Sequence, residues 1–354
     1  MRRSIFIFGL IFIALTLVVT PAARTAPSFT QLDVTLKGVS ISGTVASAIN
    51  KSGAIVGYYT TGGVDHGFLY SGSGYTDVFY PGSGLTEALG INDNGVVVGF
   101  YMDGPSVTQP NFHGFTWSAT GGYKSVDVSG ATSGTFVQAI NNNGVLAGYF
   151  SDSAGSHGFT MNGSTVTKLD APLTTGTPYF TQAWGINTGG SVSGNYADAN
   201  GMMHGFLYSG GKYTSFDAPT TVGTPAPGGT YTVGRGLNTN CVVVGAYADT
   251  TGNANGLVRQ GTSYSVDDDP SGAASETDGI NDSGQVVGLF TDALGNGHGF
   301  LSSVSVGTTS FCTATTDPKK KHHHDRDHDK DHHDNDRDRH DNDRHHDGDD
   351  GDGN

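Results

Sequence analysis

Residues 186–219 form the stretch INTGGSVSGNYADANGMMHGFLYSGGKYTSFDAP, which is one copy of the unit that fills most of the chain. The unit begins with an Ile-Asn pair and continues through an apolar segment to Gly194 and Tyr196. An Asp, a His-Gly-Phe triplet and a last strand-length segment follow. Gly, Asn and Asp separate these short segments, as is typical of tight turns. Together with the strand before the Asn, each copy therefore predicts four β-strands.

The unit occurs six times, each copy marked by Ile or Leu followed by Asn, at Asn50, Asn92, Asn141, Asn187, Asn238 and Asn281. A single four-stranded sheet of this size cannot bury both faces, so the copies must pack on one another. Four strands in roughly 45 residues is the size of a β-propeller blade, and six blades close a ring without exposed sheet edges. We therefore predict an all-β, six-bladed β-propeller-like domain of four-stranded blades over residues 27–316. A β-solenoid is the alternative.

A strand ahead of the first copy predicts how the ring closes. Residues 29–34, FTQLDV, match the sequence of the last strand of a copy, for example YTSFDAP at 213–219. The final copy has only a weaker match to that strand, TTSFC at 308–312. We expect the amino-terminal strand to complete the last blade through main-chain hydrogen bonds.

The repeated phrases Ile-Asn-x-x-Gly, Gly-x-Tyr-x-Asp and His-Gly-Phe resemble the bacterial extracellular repeat family named for its His-Ala-Phe (HAF) motif. The resemblance covers about residues 44–314. It implies a secreted repeat protein, and it supplies no catalytic residue because the family carries no established activity. Two departures are visible: every triplet has Gly in place of Ala, and the fifth copy has Asn255-Gly256-Leu257.

Composition narrows the function classes. The chain has 354 residues with 55 Gly, and Glu occurs only at Glu87 and Glu276, which disfavours a mostly helical protein. The formal charge of −15 argues against nucleic-acid binding, since neutralising phosphates requires a cationic surface.

The first 23 residues predict export. Arg2 and Arg3 precede an apolar run over residues 5–19 and a Thr-Pro-Ala-Ala exit, which is typical of a secretory signal peptide. The 15 apolar residues fall short of the roughly 20 that span a bilayer. We expect a secreted protein, extracellular, periplasmic or on the cell surface, with no membrane span after signal removal. In an oxidising compartment Cys241 and Cys312 could form one disulfide.

The repeated polar residues are predicted to be structural. A His that occurs once in nearly every blade is expected to have the same structural role in each of them. We expect its ring to hydrogen-bond to a turn or to the repeated Asp. These residues are His66, His113, His157, His204 and His298. The six Asn residues are expected to form Asx-type turns.

A ligand site is better sought where equivalent positions differ. Five and three residues before each Asn, the copies vary, and these positions hold both glutamates and one of the two tryptophans. If the first strands are innermost, these side chains surround the ring axis. Acids, an amide, an Arg and a Trp would suit a polar ligand such as a carbohydrate, with Trp184 as the stacking platform. The predicted ligand-binding residues are Glu87, Gln182, Trp184, Arg235, Glu276 and Asp278.

Two functions from different classes follow. The first is a secreted binding or surface-interaction protein, with a polysaccharide or a cell-surface component as partner. The second is a secreted carbohydrate-active enzyme that uses Glu87 and Glu276, which we expect in neighbouring blades of a closed ring, as paired carboxylates.

The last 38 residues, 317–354, contain nine His, fourteen Asp and eight Lys or Arg. This composition predicts a disordered tail. Clustered imidazoles beside carboxylates predict low-selectivity binding of divalent Zn, Ni or Cu. The candidate ligands are His322, His323, His324, His328, His332, His333, His340, His345 and His346. No cofactor is predicted for the repeat domain.

Overall fold

The regular secondary structure is β-strand throughout the part of the chain that the computed structural model describes. The described residues are 28–35, 41–72, 74–104, 111–172, 179–218, 231–249 and 252–312. Within these ranges no helix has the length and apolar character needed to cross a membrane. The predicted signal peptide and the predicted disordered, metal-binding tail lie outside the described residues.

The strands of the first three repeats form three antiparallel blades, numbered one to three. Blade one contains β2 (Gly43–Ile49), β3 (Ile55–Thr61), β4 (Val64–Tyr70) and β5 (Tyr75–Val78). Blade two contains β6 (Ser83–Ile91), β7 (Val97–Asp103), β8 (Phe112–Ser118) and β9 (Gly122–Val126). Blade three contains β10 (Gly134–Ile140), β11 (Leu146–Asp152), β12 (Gly155–Asn162) and β13 (Thr165–Leu169).

Blades four to six follow the same order. Blade four contains β14 (Tyr179–Ile186), β15 (Val192–Ala197), β16 (Met203–Ser209) and β17 (Lys212–Phe216). Blade five contains β18 (Thr232–Leu237), β19 (Val243–Ala248), β20 (Ala254–Gln260) and β21 (Ser263–Val266). Blade six contains β22 (Ala274–Ile280), β23 (Gln285–Thr291), β24 (Gly297–Ser303) and β1 (Thr30–Leu32).

The first strands of the blades are innermost and follow one another around a closed ring. Each contacts the first strand of the next blade, and β22 of blade six contacts β2 of blade one. Small residues two before each Asn allow this approach, because a Cβ on Gly279 would lie 2.8 Å from the Cα of Ala48. The fold is therefore a six-bladed propeller, and the solenoid alternative is excluded.

The amino-terminal strand completes blade six, as the sequence predicts. β1 pairs antiparallel with β24, placing Gln31 opposite Phe300. Val34 is buried, and the Phe29 ring lies 5.4 Å from the Phe300 ring. Main-chain hydrogen bonds and apolar contacts thus join the two ends of the repeat array.

Two repeated residues explain how each blade packs. The Phe of the His-Gly-Phe triplet is fully buried in all five copies that have it, and Leu257 takes its place in blade five. The Thr or Ser six before each Asn is also buried, and its hydroxyl accepts a hydrogen bond of 2.9–3.2 Å from a main-chain N–H next to the outermost strand of the preceding blade. The donors are Val34, Tyr80, Val128, Ala171, Ala218 and Asp269.

The two cysteines form a disulfide, the pairing that their even number permits. Cys241 adopts a φ of 57° at a turn position that is Gly in the other five copies, for example Gly53 and Gly95. A non-glycine residue is uncommon in that conformation. The bond to Cys312 ties the segment after β24 back to blade five.

Removing residues 28–35 should lower the melting temperature of the protein by more than about 5 °C, because blade six would lose a strand and Val34 its buried site. Differential scanning calorimetry would measure the change. Thr30→Ala, which alters only an exposed side chain and keeps the strand, is the control and should leave the transition nearly unchanged. An equal melting temperature for the deletion and the parent would show that this strand does not hold the ring.

Candidate functional site

A β-bulge in each first strand directs one side chain toward the ring axis. The pairing register shifts between the residues four and two before the Asn in five blades, and over the same stretch in blade five. The extra residue is the variable one three before the Asn, and a bulge commonly redirects a side chain at a functional site. These six residues are Ser47, Leu89, Gln138, Trp184, Arg235 and Asp278.

All six bulge residues line one cavity of about 270 Å³ on the axis, called here the axial pocket. Its wall also contains Glu87 from β6 and three aromatic residues from second strands, Tyr58, Phe100 and Tyr149. The pocket combines apolar rings, amide, hydroxyl and charged groups within a volume suited to one small polar ring.

One side of the axial pocket is an ion-pair cluster around Arg235. Its guanidinium contacts Asp278 through Nη1 and Glu276 through Nη2, the latter at 2.6 Å. It also lies 5.3 Å from the ring of Trp184, whose Nε1 donates to Asn195. Burial raises the pKa of Asp278 to about 6 despite the opposing effect of Arg235, so this carboxylate is ionised at pH 7. Both acids remain bound to the one cation.

The opposite side of the pocket carries Glu87 among aromatic rings. Burial, and to a smaller extent the nearby Asp65, raise the pKa of Glu87 to about 8, so the group is mostly protonated at pH 7. Burial and Glu87 raise the pKa of Tyr149 to about 12 and also raise that of Tyr58. Glu87 can therefore donate as well as accept a hydrogen bond.

Four of the six predicted ligand-binding residues line the axial pocket, namely Glu87, Trp184, Arg235 and Asp278. Glu276 contacts it only through Arg235, and Gln182 is not among the lining residues. Tyr58, Phe100 and Tyr149 were missed. They directly follow the repeated strand Gly, at a position that is Asn, Ala or Leu in the other copies, so variation between copies was the available signal.

The expectation that Glu87 and Glu276 lie in neighbouring blades is wrong. Glu87 belongs to β6 of blade two and Glu276 to β22 of blade six, with β2 of blade one between them. Blade one has Val45 at the equivalent position. Because Glu276 is bound to Arg235 and blade one separates it from Glu87, the two do not form a carboxylate pair.

Beyond the axial pocket, toward the six Asn residues, the wall of the channel becomes apolar. The Ile or Leu before each Asn forms an apolar ring between the pocket and the end of the channel where the six Asn lie. This ring consists of Ile49, Ile91, Ile140, Ile186, Leu237 and Ile280. A polar ligand therefore meets its partners on the bulge side of the ring.

Four of the five repeat histidines hydrogen-bond to Asp carboxylates within their blades, which confirms the predicted structural role for these four. In blade three, His157 Nδ1 lies 2.8 Å from Asp170 and Nε2 lies 3.1 Å from Asp152. His113, His204 and His298 likewise lie between two Asp carboxylates. His66 instead stacks on Phe79 at 4.3 Å. Within the described ranges no group of three or more His, Cys, Asp or Glu residues could hold a metal ion.

No family model and no curated protein matches the chain. Among solved structures, it is similar to the six-bladed β-propeller lectin of Aleuria aurantia, at 13% identity over 64% of this chain and 77% of that chain, with a TM-score of 0.41. It is similar to AofleA from Arthrobotrys oligospora at 14% identity over 82% and 93%, with a TM-score of 0.46. A protein of unknown function from Dyadobacter fermentans shares 10% identity over 78% and 99%, with a TM-score of 0.49.

Replacing Glu87 with Gln should stabilise the protein increasingly as pH rises. A carboxyl whose pKa is raised in the folded state stabilises that state below its ordinary pKa, and this contribution is lost as pH rises through the folded value of about 8. The melting temperature of Glu87→Gln should therefore equal that of the parent near pH 4.5 and exceed it by roughly 5 °C near pH 8.

Glu276→Gln at the equivalent position is the matched comparison. It removes a partner of the partly buried Arg235 and should lower the melting temperature at neutral pH. If both variants shift the transition in the same direction at pH 8, the different environments assigned to the two glutamates are incorrect.

Proposed function

We propose that this chain is a secreted carbohydrate-binding protein and that the axial pocket holds one sugar unit. The observation that carries the proposal is the convergence of the six bulge residues on one cavity. Residues that repeat in all blades are used in packing and turns, whereas these residues differ from blade to blade. Such variation at a shared point is expected of a site that recognises an asymmetric small molecule.

The chemistry of the pocket fits a sugar ring. A sugar presents apolar C–H faces, which stack on aromatic side chains, and hydroxyls that both donate and accept hydrogen bonds. Trp184, partly exposed to the pocket and fixed by Asn195, provides the stacking surface. Glu87, Gln138 and Asp278 provide hydrogen-bonding groups around it.

Two further observations support export of the protein from the cytoplasm. The segment over residues 1–23 has the pattern of a signal peptide, and a disulfide joins Cys241 and Cys312, as in proteins of oxidising compartments. The enzyme alternative depended on glutamates in neighbouring blades, and blade one lies between the blades that carry Glu87 and Glu276. Binding is therefore the function that we propose.

Trp184 is the residue to test, because the second tryptophan offers a matched control. Trp117 lies on β8 and is not among the residues that line the axial pocket. In Trp117→Phe the remaining Trp184 should report sugar binding as a change in fluorescence. Trp184→Ala should weaken binding about tenfold, since stacking on an aromatic ring contributes about 1 kcal/mol or more.

A glycan array would identify the sugar, and isothermal titration calorimetry would measure the affinity of each variant, because Trp184→Ala lacks the fluorescent reporter. Circular dichroism should be unchanged in both. If Trp184→Ala binds as tightly as the parent, the axial pocket is not the sugar site.

We further propose that residues 317–354 bind divalent Zn, Ni or Cu. The support is the sequence alone, in which His322, His323 and His324 are adjacent and other His pairs alternate with Asp. Neutral imidazole is the ligand form, and several weak sites give multivalent binding without strong selectivity.

Metal binding by this segment should be present at pH 7.5 and lost at pH 5.0, because protonation of His near pH 6.5 removes the ligand. Equilibrium dialysis with Zn and Ni would measure it. Removing residues 317–354 should abolish binding without moving the thermal transition of the propeller. Retention of the metal by the truncated protein would instead implicate the repeat histidines.

A further inference from the structure

The charges around the axial pocket are unbalanced. Arg235 is the one cation among its lining residues, and both of its Nη groups are bound to Glu276 and Asp278. Glu87 has no cationic partner among the described residues, and Asp65 adds further negative potential. The two carboxylates thus compensate the charge of Arg235, although its buried Nε has no hydrogen-bond partner among the described residues. A cationic group in the pocket would stabilise the ionised form of Glu87.

Three aromatic residues line the axial pocket together with that carboxyl. Phe100 lies directly across from Glu87 in the pairing of β6 with β7, and Tyr58 and Tyr149 come from the second strands of the two flanking blades. Rings placed around a site attract cations through their negative faces, more strongly where water is displaced. The four residues Glu87, Tyr58, Phe100 and Tyr149 are called here the aromatic cage.

Two buried oxygen atoms in the wall of the axial pocket also favour a cationic ligand. Asp278 Oδ2 and Ser47 Oγ are buried and have no hydrogen-bond partner among the described residues. These residues belong to adjacent strands, β22 and β2. An unsatisfied carboxylate oxygen close to a cavity stabilises positive charge and disfavours negative charge inside it.

We propose that the sugar unit bound in the axial pocket carries a free ammonium group, as in a de-N-acetylated amino sugar, and that this group lies in the aromatic cage against Glu87. The inference rests on the proposed sugar-binding function and names its ligand class. The hydroxyls of the same ring face Trp184 and the Arg235 cluster.

Binding should also be linked to proton release. The groups that face Glu87 are Tyr58 and Tyr149, both neutral, Asp65, and across the pocket Arg235 with Asp278. The ammonium group supplies the positive charge that this environment lacks, so Glu87 gives up its proton to solvent when the complex forms. A neutral sugar provides no such compensation and leaves the proton in place.

Isothermal titration calorimetry with three matched probes tests the proposal: a chitosan trisaccharide, the corresponding chitin trisaccharide and a neutral β-linked glucose trisaccharide. At pH 6.5 the amino sugar should bind at least tenfold more tightly than the other two. Titrations in two buffers of different ionisation enthalpy should show net proton release with the amino sugar, less any proton that its own amine takes up on binding, and none with the others.

Glu87→Gln keeps the shape of the side chain and removes its charge. In this variant the preference for the amino sugar should fall to about threefold or less and proton release should disappear, while the protein still unfolds in one cooperative transition. Asp127→Asn on the outer edge of blade two is the control and should retain both properties.

The remaining outcomes distinguish the two proposals. If the three trisaccharides bind equally and Trp184→Ala weakens all of them, the ammonium assignment is overturned and the sugar pocket stands. If no sugar binds either here or on the glycan array, both are overturned. If the preference persists unchanged in Glu87→Gln, the ammonium does not lie in the aromatic cage and the proposal fails.

Discussion

The close approach of six strands at one axis is the constraint on which this molecule depends, and the repeated Asn makes that approach specific. Each Asn Oδ1 accepts hydrogen bonds from main-chain N–H groups of its own turn, as Asn92 does from Asn94 and Val96. In every copy except that of Asn238, the Asn Nδ2 donates to the carbonyl of the next Asn around the ring. Asn281 donates to Asn50 at 3.1 Å, which joins the last copy to the first. Five of the six links are of this kind. One side chain thus closes the turn and fixes the neighbouring blade.

The same constraint creates the site. Strands packed this closely tolerate only a small residue two before each Asn, and a side chain on Gly185 would lie 2.3 Å from the carbonyl oxygen of Arg235. The bulge places the preceding residue on the axis instead, where it takes no part in strand pairing. The residue at the bulge position can therefore vary without disrupting the ring of blades. Packing therefore constrains the repeated residues of the strands, whereas the six bulge residues can vary and are available to bind a ligand.

This division explains which features could be predicted from the sequence. The spacing of the Asn residues and the extra FTQLDV strand sufficed for the six blades and their closure, because repeated residues answer repeated packing needs. Tyr58 and Tyr149 lie on the second strands, and the sequence does not show that these strands also reach the axis, so neither residue was assigned to the pocket. The supposed pairing of Glu87 with Glu276 failed because Val45 of blade one comes between them in the ring. Glu276 instead forms an ion pair with Arg235 of the neighbouring blade, and the spacing of these two residues along the chain does not predict that contact.

Closure also connects the two ends of the repeat array to the blade that supplies Asp278. The amino-terminal strand brings Asp33 to His298, whose pKa is lowered by burial but raised overall by its hydrogen bonds to Asp33 and Asp292. The charged form of His298 therefore contributes fully below its ordinary pKa near 6.5, and this contribution is lost as pH rises through the higher folded value. At the other end, the disulfide attaches the segment after β24 to blade five. Blade six, which supplies Asp278 to the axial pocket, is thus held on both sides, by the strand pairing with β1 and by a covalent link. A site assembled from single residues of six blades keeps its geometry only while every blade interface is closed, so contacts far from the axis determine how well the pocket is preorganised.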